Sequence, residues 1–167
     1  ATAELIKVAE QEGVLQEFRM PAFDNRLLLS VDGTGHFQSG KVHCEECCEK
    51  HHRNGEVSYY HQLLVASIVH PDKSTVLPLF PEAITKQDGN TKNDCESNAA
   101  KRLLPEINTQ LPNLSFVVLQ DAIAADAPTI RLHQSLDNRF IITAKASDLR
   151  FLYRQVQRHF CQGLTQE

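Results

Sequence analysis

No run of apolar residues in this sequence approaches the roughly 20 that a membrane-spanning helix requires. The opening residues, Ala1-Thr2-Ala3-Glu4, carry neither the basic stretch nor the apolar segment of a signal peptide. A cytoplasmic protein without a membrane partner is the expectation. A surplus of positive charge is missing too: 17 Lys and Arg stand against 21 Asp and Glu, a net charge of −4 with a pI of about 6.1. A free-standing DNA binder shows a domain pI above roughly 9, so any DNA binding here must be local or assisted. Internal repeats and low-complexity tracts are absent, and 41% apolar residues suffice for the core of one domain. No Met opens the chain and no strand pattern closes residues 163–167, so a piece of something longer is expected, with 161–167 as a tail at the truncation point. The five cysteines are an odd number, three of them crowded at Cys44, Cys47 and Cys48. Without a secretory signal they point to metal or free thiols, not to a disulfide framework.

Residues 2–18 carry apolar positions at helical spacing, interrupted by Gly13, and predict one or two short helices, so that 1–25 form a helical lead-in. The compact apolar run at 26–31 suits a buried strand, and the polar, His- and Cys-rich stretch 38–56 reads as an inserted loop. Residues 57–69 and 75–84 are strand-like about a turn containing Pro71, which makes a hairpin. After a polar loop at 86–92, Asn93 or Asp94 can cap a helix through Leu104, with Pro105 expected to kink or end it. A second buried strand at 114–119, a helix at 128–136, a strand at 140–144 and a helix at 147–160 capped by Ser147 complete residues 26–160.

The fold class that follows is α/β: a mixed sheet with a three-strand antiparallel meander, then alternating helices and strands, the helices covering the sheet. The RNase H-like fold has this order. It sets the first and fourth strands side by side at the sheet centre, which would bring Asp32 and Asp121 together.

Asp32 follows the most apolar strand and precedes Gly33-Thr34-Gly35, where small residues leave room for a phosphate or a metal ion. Asp-Gly is equally a strong hairpin signal. Asp121 ends the other buried strand, where it could also cap a following helix. As a pair, at the C-terminal ends of two buried strands, the acids occupy the place where open α/β sheets put ligands. Two such carboxylates can share Mg2+ or Mn2+ in a two-metal site for in-line displacement at phosphorus.

Cys44-x-x-Cys47 has the spacing of a zinc knuckle, and Cys48, His51 and His52 supply further zinc-ligand candidates, with His61 or Cys95 as distant ones. A polar surface loop with free thiols is the plain alternative. Glu96 can be an auxiliary carboxylate or suit the dipole of its helix. Lys101, Arg102, Arg150, Arg154 and Arg158 can line a DNA path or cover solvated helical faces.

Taken together, Val31-Asp32-Gly33-Thr34-Gly35 with Phe37, His43-Cys44-Glu45-Glu46-Cys47, Arg53-Asn54-Gly55, Tyr60-His61-Gln62, Asn93-Asp94-Cys95-Glu96 with Ala99 to Leu103, and Asp121 through Pro128 resemble the DDE transposases of bacterial insertion sequences. The likeness runs from about Leu27 to Tyr153. It implies an RNase H-like catalytic core in which Asp32 and Asp121 are the first two acids of a triad. It further implies metal-dependent cutting and rejoining of DNA at element ends, transposon-end and target DNA as partners, a homodimer in the full-length protein, and a bacterial, nucleoid-associated setting. The family's third acid, a Glu on a helix after the last core strand, has no match: Glu167 is the only Glu after Glu106, and Asp148 reads as part of a helix start. The isolated chain is therefore expected to be inactive. The rival readings are a catalytically silent RNase H-like module kept for protein assembly, and another RNase H-like nuclease.

Overall fold

The structure is a computed structural model that describes residues 2–86, 93–147 and 149–161, the last of these without its side chain. The loop at 86–92 beyond Lys86, Asp148, Glu167 and the rest of the tail lie outside the described residues. Helix α1 (Thr2–Gln11) buries Ala3 and Ile6, and Gly13, at φ 77°, turns the chain into a 3-10 turn, Val14–Phe18, that buries Leu15 and Phe18. The second of the two expected short helices is thus of the tighter kind. Strand β1 (Arg19–Met20) pairs with the beginning of β2 (Arg26–Ser39).

β2 is more than twice the expected length. Its apolar half, Leu27 to Val31, is buried, and its polar half, from Asp32 onward, keeps its backbone paired to β4 (Val57–Val69) as far as Ser39↔Tyr59. Asp32-Gly33 therefore lies inside a strand, and the hairpin-turn alternative is wrong here. Ladder hydrogen bonds hold the polar half in place although neither face carries the alternation that marks a strand in sequence. The ladder skips His36, between Gly35↔Gln62 and Phe37↔His61, as a β-bulge does.

Residues 38–56 are likewise not all loop: β3 (Cys48–His51) pairs antiparallel with residues 57–60 of β4, and β5 (Leu77–Ile84) takes the same edge of β4 further along. β6 (Phe116–Gln120) joins β2 in parallel, and β7 (Arg139–Ile142) joins β6 in parallel. The result is a mixed, open, seven-stranded sheet ordered β3-β4-β2-β6-β7.

Helix α2 (Glu96–Gln110) connects β5 to β6, and α3 (Ala127–Ser135) connects β6 to β7. These helical crossovers are what parallel neighbours need. Of the two expectations for Pro105, a kink or an end, the end does not occur: α2 continues past it to Gln110. A proline inside a helix costs about 3 kcal/mol, but Ile107 and Leu111 beyond it are each buried, at about 1.5–3 kcal/mol apiece, so burial wins. The cap of α2 is also not Asn93 or Asp94 but Cys95, which makes no side-chain capping bond. Asp126 caps α3 by accepting from the Thr129 N–H.

The core forms where Ala99, Ala100, Leu103, Leu104 and Ile107 of α2, spaced three and four apart, meet alternate residues of the sheet: Leu27, Leu29 and Val31 of β2, Leu64, Ala66 and Ile68 of β4, Phe116 and Val118 of β6. Leu28 and Val117, which alternate with these, are buried as well, so the central strands exclude water on both faces. α4 (Arg150–Cys161) begins three residues after Ser147, later than expected, and exposes Phe151, Leu152, Val156 and Phe160. Among the described residues no helix is long and apolar enough to cross a membrane.

Candidate functional site

Parallel pairing sets the depth of the two acids. β2 and β6 are in register from Leu27↔Phe116 to Ser30↔Leu119, and Asp32 and Asp121 each stand two residues further on. Asp32 therefore lies inside β2 and Asp121 one residue past the end of β6, both beyond the C-terminal end of the ladder between these two neighbouring strands. Both are exposed. Oδ1 of Asp32 accepts the Gly33 N–H at 2.9 Å, and Oδ1 of Asp121 accepts the Ile123 N–H at 2.9 Å, capping the 3-10 turn Ala122–Ala124. Capping is thus one real job of Asp121. A carboxylate has roughly four acceptor sites, so one such bond leaves capacity for a ligand.

The structure adds a third carboxylate. Glu96, in the first turn of α2, points back to the sheet, where Oε1 accepts from Nε2 of Gln62 at 2.7 Å. Burial pushes the Glu96 carboxyl above its ordinary range, the charge on Asp32 adds to this, and Asp121 adds less, while the Gln62 bond opposes it. Glu96 thus feels both strand acids. With Gln120 and Asp121 it lines a cleft floored by Val31, Leu64 and Ala100. Its sequence signal, an acid in a helix's first turn, pointed more to the helix dipole, and Gln62 was singled out only as part of the Tyr60-His61-Gln62 run.

The cysteine–histidine group is assembled differently from expectation. Among the described residues, one set of three ligating side chains has its ligand atoms within 4.8 Å of one another: Cys44, Cys47 and His61. This cluster can hold a metal ion. Asp32, Asp121 and Glu96 do not form such a set. Sγ of Cys44 lies 3.6 Å from Sγ of Cys47, and each sulfur is 3.3 Å from Nε2 of His61.

Three other expected ligands are engaged elsewhere. Cys48 is buried and donates to the Ile84 carbonyl at 3.3 Å, His52 meets the Ser58 hydroxyl at 2.7 Å, and His51 lies 3.4 Å from Glu49. Strand β3 explains this, because its alternation turns Cys48 into the core and its edge pairing draws the chain away from Cys44 and Cys47. Cys95 is exposed at the start of α2, outside the cluster.

Of the basic residues, Arg102 serves the fold. It binds Glu82 and the Ala83 carbonyl, and Nη2 donates to Asp94 at 2.8 Å. Burial alone would raise the Asp94 carboxyl, but the Arg102 hydrogen bond, with those of the Cys95 backbone and Asn98, holds it below its ordinary range. Lys101, Arg150, Arg154 and Arg158 are exposed. Comparison with family models, with curated proteins and with solved structures finds no match.

Proposed function

We propose that this chain is part of the catalytic domain of a DDE-type insertion-sequence transposase with an RNase H-like fold, which in its full-length form cuts and rejoins DNA by metal-dependent phosphoryl transfer. The observation that carries this reading is that Asp32 and Asp121 each stand two residues beyond Ser30 and Leu119, the last pair of the parallel β2–β6 ladder. The strand order supports the fold assignment: β5, β4 and β2 make an antiparallel meander, and β6 and β7 continue from β2 in parallel.

The donor set suits a hard cation. Asp32 and Asp121 offer exposed carboxylate oxygens, and Mg2+ prefers a few such oxygens while keeping several waters. Bound there, Mg2+ or Mn2+ supplies nucleophile activation and charge neutralisation at phosphorus. The chain itself holds Asp32 within the paired β2 and Asp121 just past β6, and Gly33 leaves room beside them for the Glu96 carboxyl. Glu96, steadied by Gln62, adds a third negative charge that strengthens the pull on cations. The net charge of −4 leaves little counterion-release energy for DNA, so transposon ends and target DNA are held with help from those cations and from a second subunit of the full-length protein. Zinc, a softer ion, suits the thiols of Cys44 and Cys47 with His61 and is a separate ion from those at the acids.

A second reading, an RNase H-like module kept for protein assembly, draws on the exposed apolar side chains of α4. Mn2+ titration of the chain separates the two. The catalytic reading expects binding that Asp32→Asn and Asp121→Asn each weaken about tenfold or more. Equal affinity in all three proteins overturns it.

A further inference from the structure

The thiol–imidazole cluster carries more than a general capacity for metal. We infer that it is a closed, tetrahedral zinc centre whose fourth ligand is His36, and that the ion clips the loop bearing Cys44 and Cys47 onto the β2–β4 pair. The inference rests on the zinc reading of the cluster and adds its completion and its structural role.

The spacing of the three ligand atoms comes first. Zinc bonds of about 2.3 Å to sulfur and about 2.0–2.1 Å to nitrogen, set tetrahedrally, place two sulfurs about 3.8 Å apart and a sulfur and a nitrogen about 3.5 Å apart. The corresponding separations are 3.6, 3.3 and 3.3 Å. Side-chain adjustments of a few tenths of an ångström are enough to seat the ion, with no movement of backbone.

Local structure also holds the two cysteines together. The chain turns between the two cysteines through a Cys47 N–H to Cys44 carbonyl bond of 3.2 Å, and the Cys44 N–H donates to Sγ of Cys47 at 3.3 Å. Cys47 is 1% exposed while Cys44 is open to solvent, so the site has a dry side and an entry side.

A structural zinc site is normally four-coordinate. The nearby alternatives are committed: Cys48, His51 and His52 as described, and His43 to the Lys41 carbonyl at 3.3 Å and to a stack on Tyr59 with ring centroids 4.1 Å apart. His36 is different. It is the bulge residue of β2, exposed and skipped by the ladder, and its ring lies beside that of His61 with centroids 5.6 Å apart and planes 23° apart. Two imidazoles on one tetrahedral zinc have centroids about 5 Å apart, so rotation of the His36 side chain reaches the open corner. The bulge now has a reason, since an extra residue in one strand re-aims a side chain that regular pairing would send elsewhere.

The four ligands come from three segments: His36 from β2, His61 from β4, and Cys44 and Cys47 from the loop between β2 and β3. The ion therefore fastens a connection that among its own residues has no helix and little pairing.

The test uses the full chain, purified without chelator, with elemental analysis, zinc competition titration and the absorption spectrum of the cobalt(II)-substituted protein. One zinc per chain is expected, with a tetrahedral cobalt spectrum of two sulfurs and two nitrogens. Cys44→Ser and His61→Ala abolish stoichiometric zinc, and His51→Ala and His52→Ala leave it unchanged. His36→Ala, at an exposed position that tolerates truncation, still folds but weakens zinc by at least the roughly 10- to 100-fold that loss of even an outer partner costs, and its cobalt spectrum moves to a water-substituted form. Zinc bound by the parent chain but with the same affinity and the same cobalt spectrum in His36→Ala overturns the role of His36 and leaves the three-ligand reading standing. A parent chain with no zinc overturns both.

Discussion

Gly33 on β2 faces Glu96 on α2 so closely that no side chain fits between them: a β-carbon on Gly33 would lie 2.6 Å from Cδ of Glu96 and 2.7 Å from Nε2 of Gln62. Both obstructing groups are the ends of flexible side chains. The glycine therefore makes room for the Glu96 carboxyl and the Gln62 amide and is not a requirement of the backbone.

The Gly33→Ala variant should keep the fold and displace the Glu96–Gln62 pair. Its added methyl pushes the Glu96 carboxyl and the Gln62 amide off each other, so Mn2+ affinity should fall about tenfold while the melting temperature drops by less than about 4 °C. Titration and calorimetry on the same sample check this. Unchanged Mn2+ binding would remove Glu96 from any part in cation attraction.

Glu96→Gln should stabilise the protein at neutral pH. The folded state raises this carboxyl above its ordinary value of 4.5, through burial first and Asp32 second, so the native protein binds the proton more tightly than the unfolded chain. The destabilisation is absent below pH 4.5 and grows as pH rises through the raised value. Glutamine keeps the shape and an acceptor for Gln62 without the charge. Melting curves should show a gain of about 2–4 °C at pH 7 that disappears by pH 4. A gain equal at both pH values would contradict the electrostatic origin.

His133 should set part of the acid limb of stability. It is fully buried, its Nε2 meets Oε1 of Gln120 at 2.7 Å, its ring stacks on Phe140, and its Nδ1 has no hydrogen-bond partner among the described residues. Burial lowers its pKa from 6.5, so the unfolded chain binds the proton more readily, and stability present above pH 6.5 is lost as pH falls through the lowered value. Urea midpoints at pH 7.5 and pH 5 should differ less in His133→Gln than in the parent, even though the variant is the less stable at pH 7.5.

On duplexes carrying transposon ends, the isolated chain with Mg2+ or Mn2+ should show neither end cleavage nor strand transfer. Glu96 supplies a third charge but comes from α2, whereas the family pattern places its third acid on a helix after the last core strand. Gel assays check this. Cleavage lost in Asp32→Ala, Asp121→Ala and Glu96→Gln alike would make Glu96 the third acid and the chain complete.

Much of the architecture was legible because burial wrote it into the sequence. The expected strand at 57–69 coincides with β4, and the apolar runs that became β2 and β6 pair up to Ser30 and Leu119, two residues short of Asp32 and Asp121. The polar half of β2 was not legible: residues 32–39 are held by backbone pairing to β4, and backbone pairing leaves no trace in side-chain periodicity. The thiol cluster was half legible. Cys44 and Cys47 announced themselves by spacing, but His61 reaches them only because β4 runs back along β2, while the equally plausible Cys48 is turned into the core by β3. Glu96 was visible as an acid but not as a neighbour of two others, since that depends on where α2 begins over the sheet.

Strand β4 is hydrogen-bonded to β2 on one edge and, in succession, to β3 and β5 on the other. Its amides can meet solvent only when one of those ladders opens, and no fraying end of the sheet gives access to its middle. In native-state deuterium exchange, residues 62–68 should be the last to take up label and should report the global unfolding free energy, while β7 and the ends of β2 exchange through smaller openings. The strand that carries His61 and Gln62 side by side would then be the slowest clock in the molecule, and both sites would be anchored to the part of the protein that opens least.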